Sequence, residues 1–139
     1  MATKIMVVTH GALAYALRDA VGMFFGDNSQ EIIALGLEPN DSLDKFRATV
    51  DEALEKNYSD DGILIFVDMV CGTPFNTVAM VLGNFVANHP QVECIAGINL
   101  PVLMEAFSDR AEKKARELKY EAIELFPQTY VDLREMLEF

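Results

Sequence analysis

Two polar side chains follow apolar runs at points where strands of a sheet would end. His10 comes after the run at residues 5–8, and Asp68 directly follows the run at residues 62–67. In a doubly wound sheet the ligand site lies outside the carboxyl ends of the strands, so neighbouring strands would bring both side chains to one edge. A carboxylate that holds one imidazole nitrogen as N–H leaves the other nitrogen free as a nucleophile. The pair therefore predicts phosphoryl handling.

The segment after Asp68 adds a place for an anion. Gly72 precedes Thr73 and Pro74, and a Thr N-cap with Pro at the first helical position predicts a helix start. Free amides at such a helix start attract phosphate. A histidine or an aspartate at a strand end is often only a structural or loop-capping residue, so the hypothesis rests on the combination.

Other chemistries lack their characteristic residues. The sequence has no nucleotide-binding glycine motif, no G-x-S-x-G elbow and no His/Cys cluster with zinc-site spacing, so we predict no metal site. His89 is predicted to be a solvated residue at a helix end. The methionines Met23, Met80 and Met104 are predicted to fill the core at helical spacing.

Short β-rich runs alternate with stretches of helical period, which predicts an α/β fold with three layers and a doubly wound, mainly parallel sheet. About four parallel strands are predicted, at residues 4–9, 31–36, 62–67 and 92–96. The first run is nearly all apolar rather than alternating, as expected for a strand covered by helices on both faces. The third run is the clearest strand in the sequence. In the first predicted helix, the expected buried stripe comprises Leu13, Leu17, Val21 and Phe24.

The pattern is less distinct after Ser108. Residues 109–118 predict a polar helix, and residues 131–137 predict a short one. Residues 119–126 either extend the polar helix or form a strand that stops at Pro127.

Composition limits the class of protein and its partners. A length of 139 residues predicts a single domain over residues 1–139, and 51% apolar with 24% charged residues is typical of a globular protein. The net charge of −11 disfavours nucleic acid and anionic membranes. The absence of a signal-peptide core and of a spanning apolar run predicts a cytoplasmic protein, in which Cys71 and Cys94 are reduced thiols.

Three motifs in order carry a resemblance to a known family. They are Thr9-His10-Gly11, then Val67-Asp68 leading to Gly72-Thr73-Pro74-Phe75-Asn76, and finally Gly97-Ile98-Asn99-Leu100-Pro101. Together they resemble the IIA component of the mannose-type sugar phosphotransferase system, over most of the chain.

The resemblance implies a histidine phosphocarrier that needs no cofactor. His10 would accept a phosphoryl group from phospho-HPr and pass it to a IIB component, which serves the IIC and IID membrane subunits. Asp68 would bind the other ring nitrogen, and Gly72 and Thr73 would hold the phosphoryl oxygens. The family also implies a homodimer, in which residues 119–126 would be an antiparallel strand exchanged between subunits. No long linker follows, so IIB is expected to be a separate protein.

The loop after Asp68 departs from the family pattern. Cys71 stands where a glycine is common, and Val70 where an aromatic residue is sometimes found. Two alternatives stay open. One is the related subunit that serves dihydroxyacetone kinase, although the segment from Thr73 to Asn76 favours the mannose type. The other is a flavodoxin-like binding or receiver module, but a receiver should show an acidic cluster after its first strand.

Overall fold

The core of the protein is a parallel sheet formed by the apolar runs. A computed structural model describes residues 2–139, and within them the sheet has four strands: β1 (Lys4–His10), β2 (Ile33–Leu37), β3 (Ile63–Val67) and β4 (Val92–Ala96). Every residue of β3 is completely buried. Helices therefore cover both faces of the sheet, as the apolar run predicted.

Helices form the two outer layers on the sheet, except the last short helix of the described chain, which has no buried residue. Their bounds are α1 (Leu13–Phe25), α2 (Leu43–Asn57), α3 (Thr73–Phe85), α4 (Leu100–Asp109), α5 (Ala115–Leu125) and α6 (Leu133–Leu137). Alternate residues of β1 point to opposite faces: Ile5 and Val7 pack with α1, α4 and α5, whereas Met6 and Val8 pack with α2 and α3. The predicted three-layer, doubly wound α/β fold is confirmed.

The strand order places β1 beside β3 in the middle of the sheet. The order is β2-β1-β3-β4, all neighbours are parallel, and Val8 is paired with Val67. The chain moves outward from β1 to β2 and then returns to the other side of β1, so the connections reverse between β1 and β3. This is the switch point at which α/β folds bind ligands.

The antiparallel strand considered at residues 119–126 is wrong, because α5 occupies this segment as far as Leu125. Ala115, Leu118 and Ala122 recur at i, i+3 and i+7 and are buried against the sheet. The Lys114 N–H donates to Glu117 Oε1 at 3.2 Å and defines the start of this helix. The predicted polar helix over residues 109–118 is also wrong in its bounds, because α4 continues to Asp109 and a turn separates it from α5.

The buried side of α1 differs from the predicted stripe. Val21 is buried and Leu17 partly buried, but Leu13 and Phe24 are exposed. At 100° per residue, Ala14 and Val21 point within about 20° of each other, and Leu13 and Phe24 lie about 60–100° from them. The helix therefore meets the sheet through the side that carries Ala14 and Val21.

The prediction that the methionines fill the core is wrong for two of the three. Met23 is 85% exposed and Met80 is 54% exposed, whereas Met104 is partly buried. The helical periodicity of apolar residues does not distinguish the exposed Met23 and Met80 from residues of the core.

None of the helices in residues 2–139 combines the length and the apolar character needed to cross a membrane.

Replacement of Ile65 by Ala should lower the free energy of unfolding by about 2–5 kcal/mol, because it leaves a cavity in the fully buried β3. Met23→Ala is the matched control, and its effect should stay within about 0.5 kcal/mol because that side chain is already solvated. Chemical denaturation of both variants measures the difference. Equal losses would contradict the assignment of the core.

Candidate functional site

His10 and Asp68 form the centre of the candidate site at the carboxyl edge of the sheet. His10 is the last residue of β1, and Asp68 is the first residue after β3. His10 Nδ1 lies 2.7 Å from Asp68 Oδ2, and the backbone N–H of His10 donates to the same oxygen at 2.9 Å. Two donors from one residue converge on one carboxylate oxygen, so the strand end and the ring are fixed together.

The two side chains differ in solvent exposure, and the more exposed one carries the candidate nucleophilic nitrogen. The Asp68 side chain is 10% exposed and the His10 side chain is 46% exposed. A carboxylate oxygen only accepts hydrogen bonds, so the ring proton lies on Nδ1. His10 Nε2 has no hydrogen-bond partner among residues 2–139, and its lone pair is free to attack an electrophile.

Gly72 brings the start of α3 against the imidazole. A Cβ atom at Gly72 would lie 2.8 Å from His10 Cε1 and 3.4 Å from His10 Nε2, so only a residue without a side chain fits beneath the ring. The predicted Thr73 N-cap is wrong by one residue, since Gly72 is the N-cap and Thr73 is the first helical residue. The structure thus places the free amides of this helix beside the imidazole.

The loop between Asp68 and Gly72 has an unusual backbone. Cys71 has a φ of 65°, a left-handed conformation that favours glycine. This explains why glycine is common at this position in the pattern that the sequence resembles. Met69, Val70 and Cys71 are all exposed, so the loop forms part of the surface around His10.

Gly36 supports the site, and the sequence interpretation missed it. A Cβ atom at Gly36 would lie 2.1 Å from the carbonyl oxygen of Gly11. The Gly11 N–H donates to the Leu37 carbonyl at 2.7 Å, so the turn after His10 lies directly on β2. A glycine inside a predicted strand signals such a close backbone approach, and this signal was present in the sequence.

The electrostatic surroundings of His10 contain acidic side chains and backbone amides. An open pocket beside the ring is lined by Leu37, Glu38, Pro39, Asp41 and Leu43. The loops that follow the four strands, at residues 11–12, 38–42, 68–72 and 97–99, contain no Lys or Arg. These loops therefore offer amide dipoles rather than cationic side chains to an anion at Nε2.

The other candidate groups lie elsewhere. His89 stacks on Phe85 with ring centroids 3.8 Å apart, and its Nδ1 lies 3.0 Å from the Phe85 carbonyl oxygen, which indicates a structural role. Burial raises the pKa of the Cys94 thiol to about 12, so this thiol stays protonated at neutral pH. No group of three His, Cys, Asp or Glu residues within the described chain could hold a metal ion.

Comparisons with known proteins place the sequence among sugar phosphotransferase components. The sequence model of the EIIA-man family, described as PTS system fructose IIA component, matches residues 4–123. The chain is 27% identical over 135 residues to the PTS system fructose-specific EIIA component of Bacillus subtilis strain 168, across 97% of this chain and 89% of that protein. It is 29% identical over 109 residues to the PTS system sorbose-specific EIIA component of Klebsiella pneumoniae, across 78% of this chain and 76% of that protein.

The fold is also similar to a solved structure. The mannose/sorbose specific IIA subunit from Enterococcus faecalis superposes with a TM-score of 0.81 at 23% identity, over 95% of each chain. At this identity the likeness concerns the fold.

Gly72→Ala should break the contact between His10 Nδ1 and Asp68 Oδ2, because the new methyl group would displace the imidazole. Nitrogen-15 NMR of the histidine ring should show loss of the fixed Nδ1–H form. The control is Gly83→Ala on an open part of α3, where a Cβ meets no atom within 4 Å. An unchanged ring spectrum in Gly72→Ala would refute this description of the site.

Proposed function

This chain belongs to the EIIA-man family of phosphotransferase-system IIA components, which act in sugar phosphotransfer, and from this premise we propose that it is a histidine phosphocarrier. In this proposal His10 accepts a phosphoryl group from phospho-HPr and passes it to a IIB component. The IIC and IID membrane subunits are served indirectly. Residues 1–139 act as one IIA domain in the cytoplasm, where the phosphoryl donor would meet it.

The observation that carries the proposal is the contact of 2.7 Å between His10 Nδ1 and Asp68 Oδ2. Nε2 attacks the phosphorus atom of the donor's phosphohistidine, the N–P bond forms on His10, and the N–P bond to the donor imidazole breaks. The proton stays on Nδ1, so the phosphorylated ring is cationic. Asp68 stabilises this positive charge, and its burial strengthens the interaction.

The exposure of the site favours a protein as phosphoryl donor. The ring of His10 is about half exposed and lies at an open pocket rather than in an enclosed cavity, so the histidine of another protein can approach Nε2. Transfer between two imidazoles depends on positioning and electrostatics, which the fixed ring supplies. The amides at Gly72 and Thr73 and the Thr73 hydroxyl would hold the phosphoryl oxygens, and no metal or organic cofactor takes part.

Neither the receiver module nor the subunit that serves dihydroxyacetone kinase gains support beyond the shared fold. A receiver module would use Asp68 as an exposed acceptor, but this carboxylate is largely buried and already accepts two hydrogen bonds from His10. The subunit that serves dihydroxyacetone kinase would use the same histidine, but the relatives described above are named for fructose and sorbose systems. We therefore propose the sugar phosphotransferase role for this chain.

We also propose that the protein forms a homodimer, and the terminal arm at residues 130–139 supports this. Its six apolar residues are 52–77% exposed in the single chain: Tyr130, Val131, Leu133, Met136, Leu137 and Phe139. The arm starts where Asn99 Nδ2 donates to Thr129 Oγ1 at 2.8 Å, beside the end of the outer strand β4. A second copy would remove this apolar surface from water.

His10→Ala should abolish phosphorylation in a mixture of phosphoenolpyruvate, enzyme I and HPr, because it removes the accepting nitrogen. Asp68→Asn should slow labelling by roughly 100-fold, since the cationic ring loses its carboxylate. Mass spectrometry of the acid-labile, base-stable phosphate measures both effects. His89→Ala is the matched control and should label normally. A label that persists in His10→Ala would refute the proposed role.

Light scattering of the intact protein should give twice the chain mass of 15.5 kDa. A chain that ends at Thr129 should be monomeric because it lacks the apolar arm, whereas Met80→Ala, which removes an exposed apolar side chain of α3, should stay dimeric. A monomeric intact protein, or a dimeric truncated one, would contradict the proposed assembly.

A further inference from the structure

Thr9 is a buried polar residue next to the candidate nucleophile, and the site described above does not use it. Its side chain is completely buried. The Ala14 N–H donates to Thr9 Oγ1 at 2.9 Å, and the Thr9 hydroxyl donates to the His10 carbonyl at 3.1 Å. One hydroxyl therefore joins the first turn of α1 to the backbone of His10.

We propose that Thr9 is a positioning residue for phosphoryl transfer, an inference that rests on the proposed phosphocarrier function. Asp68 holds the backbone N–H and Nδ1 of His10, and Thr9 holds its carbonyl oxygen. With these three groups bonded, Nε2 is left as the polar atom available for reaction. Asp68 sets the orientation of the ring, and Thr9 sets the backbone from which the ring extends.

The hydroxyl also replaces a missing helix cap. The N-cap residue of α1 is Ala12, which offers no side-chain acceptor for the amides of the first turn. Thr9 accepts one of these amides from five residues upstream. Without the hydroxyl, the buried Ala14 N–H loses its partner, and the turn at Gly11 and Ala12 becomes free to shift.

A second contact on the same turn supports this assignment. Gly36 lets the Gly11 carbonyl lie directly against β2, so the turn is held from the helix side by Thr9 and from the sheet side by Gly36. A displacement of about 1 Å in a reacting group is enough to cost about 100-fold in rate. Both contacts therefore control the approach of Nε2 to a donor.

The test measures the rate of phosphoryl acceptance at increasing concentrations of phospho-HPr. Thr9→Val keeps the shape but removes the hydroxyl, and it should lower the maximal rate about tenfold. The half-saturating donor concentration should change less than twofold, because Thr9 lies beneath the surface that meets a partner. Thr9→Ser restores the hydroxyl and should recover the rate to within about threefold of the original protein. Gly36→Ala should lower the maximal rate in the same way.

Thr3→Val is the matched control, directly before the start of β1 and so at the opposite end from Thr9. Thr3 is equally buried, and its hydroxyl lies 3.0 Å from the Asp61 carbonyl oxygen and 2.7 Å from that of Lys113. Its loss should lower stability but leave the maximal rate unchanged. A similar rate loss in Thr3→Val and Thr9→Val, or none in Thr9→Val, would overturn the inference.

A readout without phosphate separates this inference from the proposed function. Solvent exchange of the His10 Nδ1 proton, measured by NMR, should be faster in Thr9→Val than in the original protein and unchanged in Thr3→Val. If the original protein takes no label from phospho-HPr, the proposed function fails, while the exchange measurement still tests the positioning of His10. Unchanged exchange in Thr9→Val would overturn the positioning role itself.

Discussion

The hydrogen bond between His10 Nδ1 and Asp68 Oδ2 is the interaction on which the candidate site depends. It joins two residues 58 positions apart, one at the end of β1 and the other directly after β3. The bond forms only if β1 and β3 are adjacent and in register, and the apolar packing on both faces of the sheet holds them so. The buried core therefore fixes the chemistry at the sheet edge because it fixes the relative position of two strand ends.

The surroundings of this pair depend largely on the shape of the backbone. In the proposed function, a phosphoryl group is bound through amides at the start of α3, since the loops at the carboxyl edge contain no Lys or Arg. Such binding needs the backbone to approach the ring closely, which Gly72 allows, and Gly36 and Thr9 hold the neighbouring turn. In the proposed function, an acidic protein holds an anion through amides rather than through Lys or Arg side chains of these loops.

Sequence patterns predicted the sheet more accurately than the late helices. The wholly apolar run at residues 62–67 matches β3, because a strand buried on both faces must be apolar. The run at residues 92–96 matches β4 at the edge of the sheet. His10 and Asp68 were identified by their position after such runs. The segment at residues 119–126 was ambiguous, since its helical form depends on Ala115, Leu118 and Ala122 meeting the sheet. Gly36 was missed although a glycine inside a predicted strand signals a close backbone approach. Thr9 was missed because its contact with the Ala14 N–H depends on the shape of the turn between β1 and α1.

The sequence by itself determined the alternation of strands and helices, the apolar core positions of the strands, and the residue types that end β1 and β3. These properties depend on local periodicity and on the chemistry of single side chains. Only the tertiary structure decided that β1 lies beside β3 and that the ring of His10 rests on Gly72. The reason is physical: strand order and close backbone approach result from packing between distant segments, which no local pattern specifies.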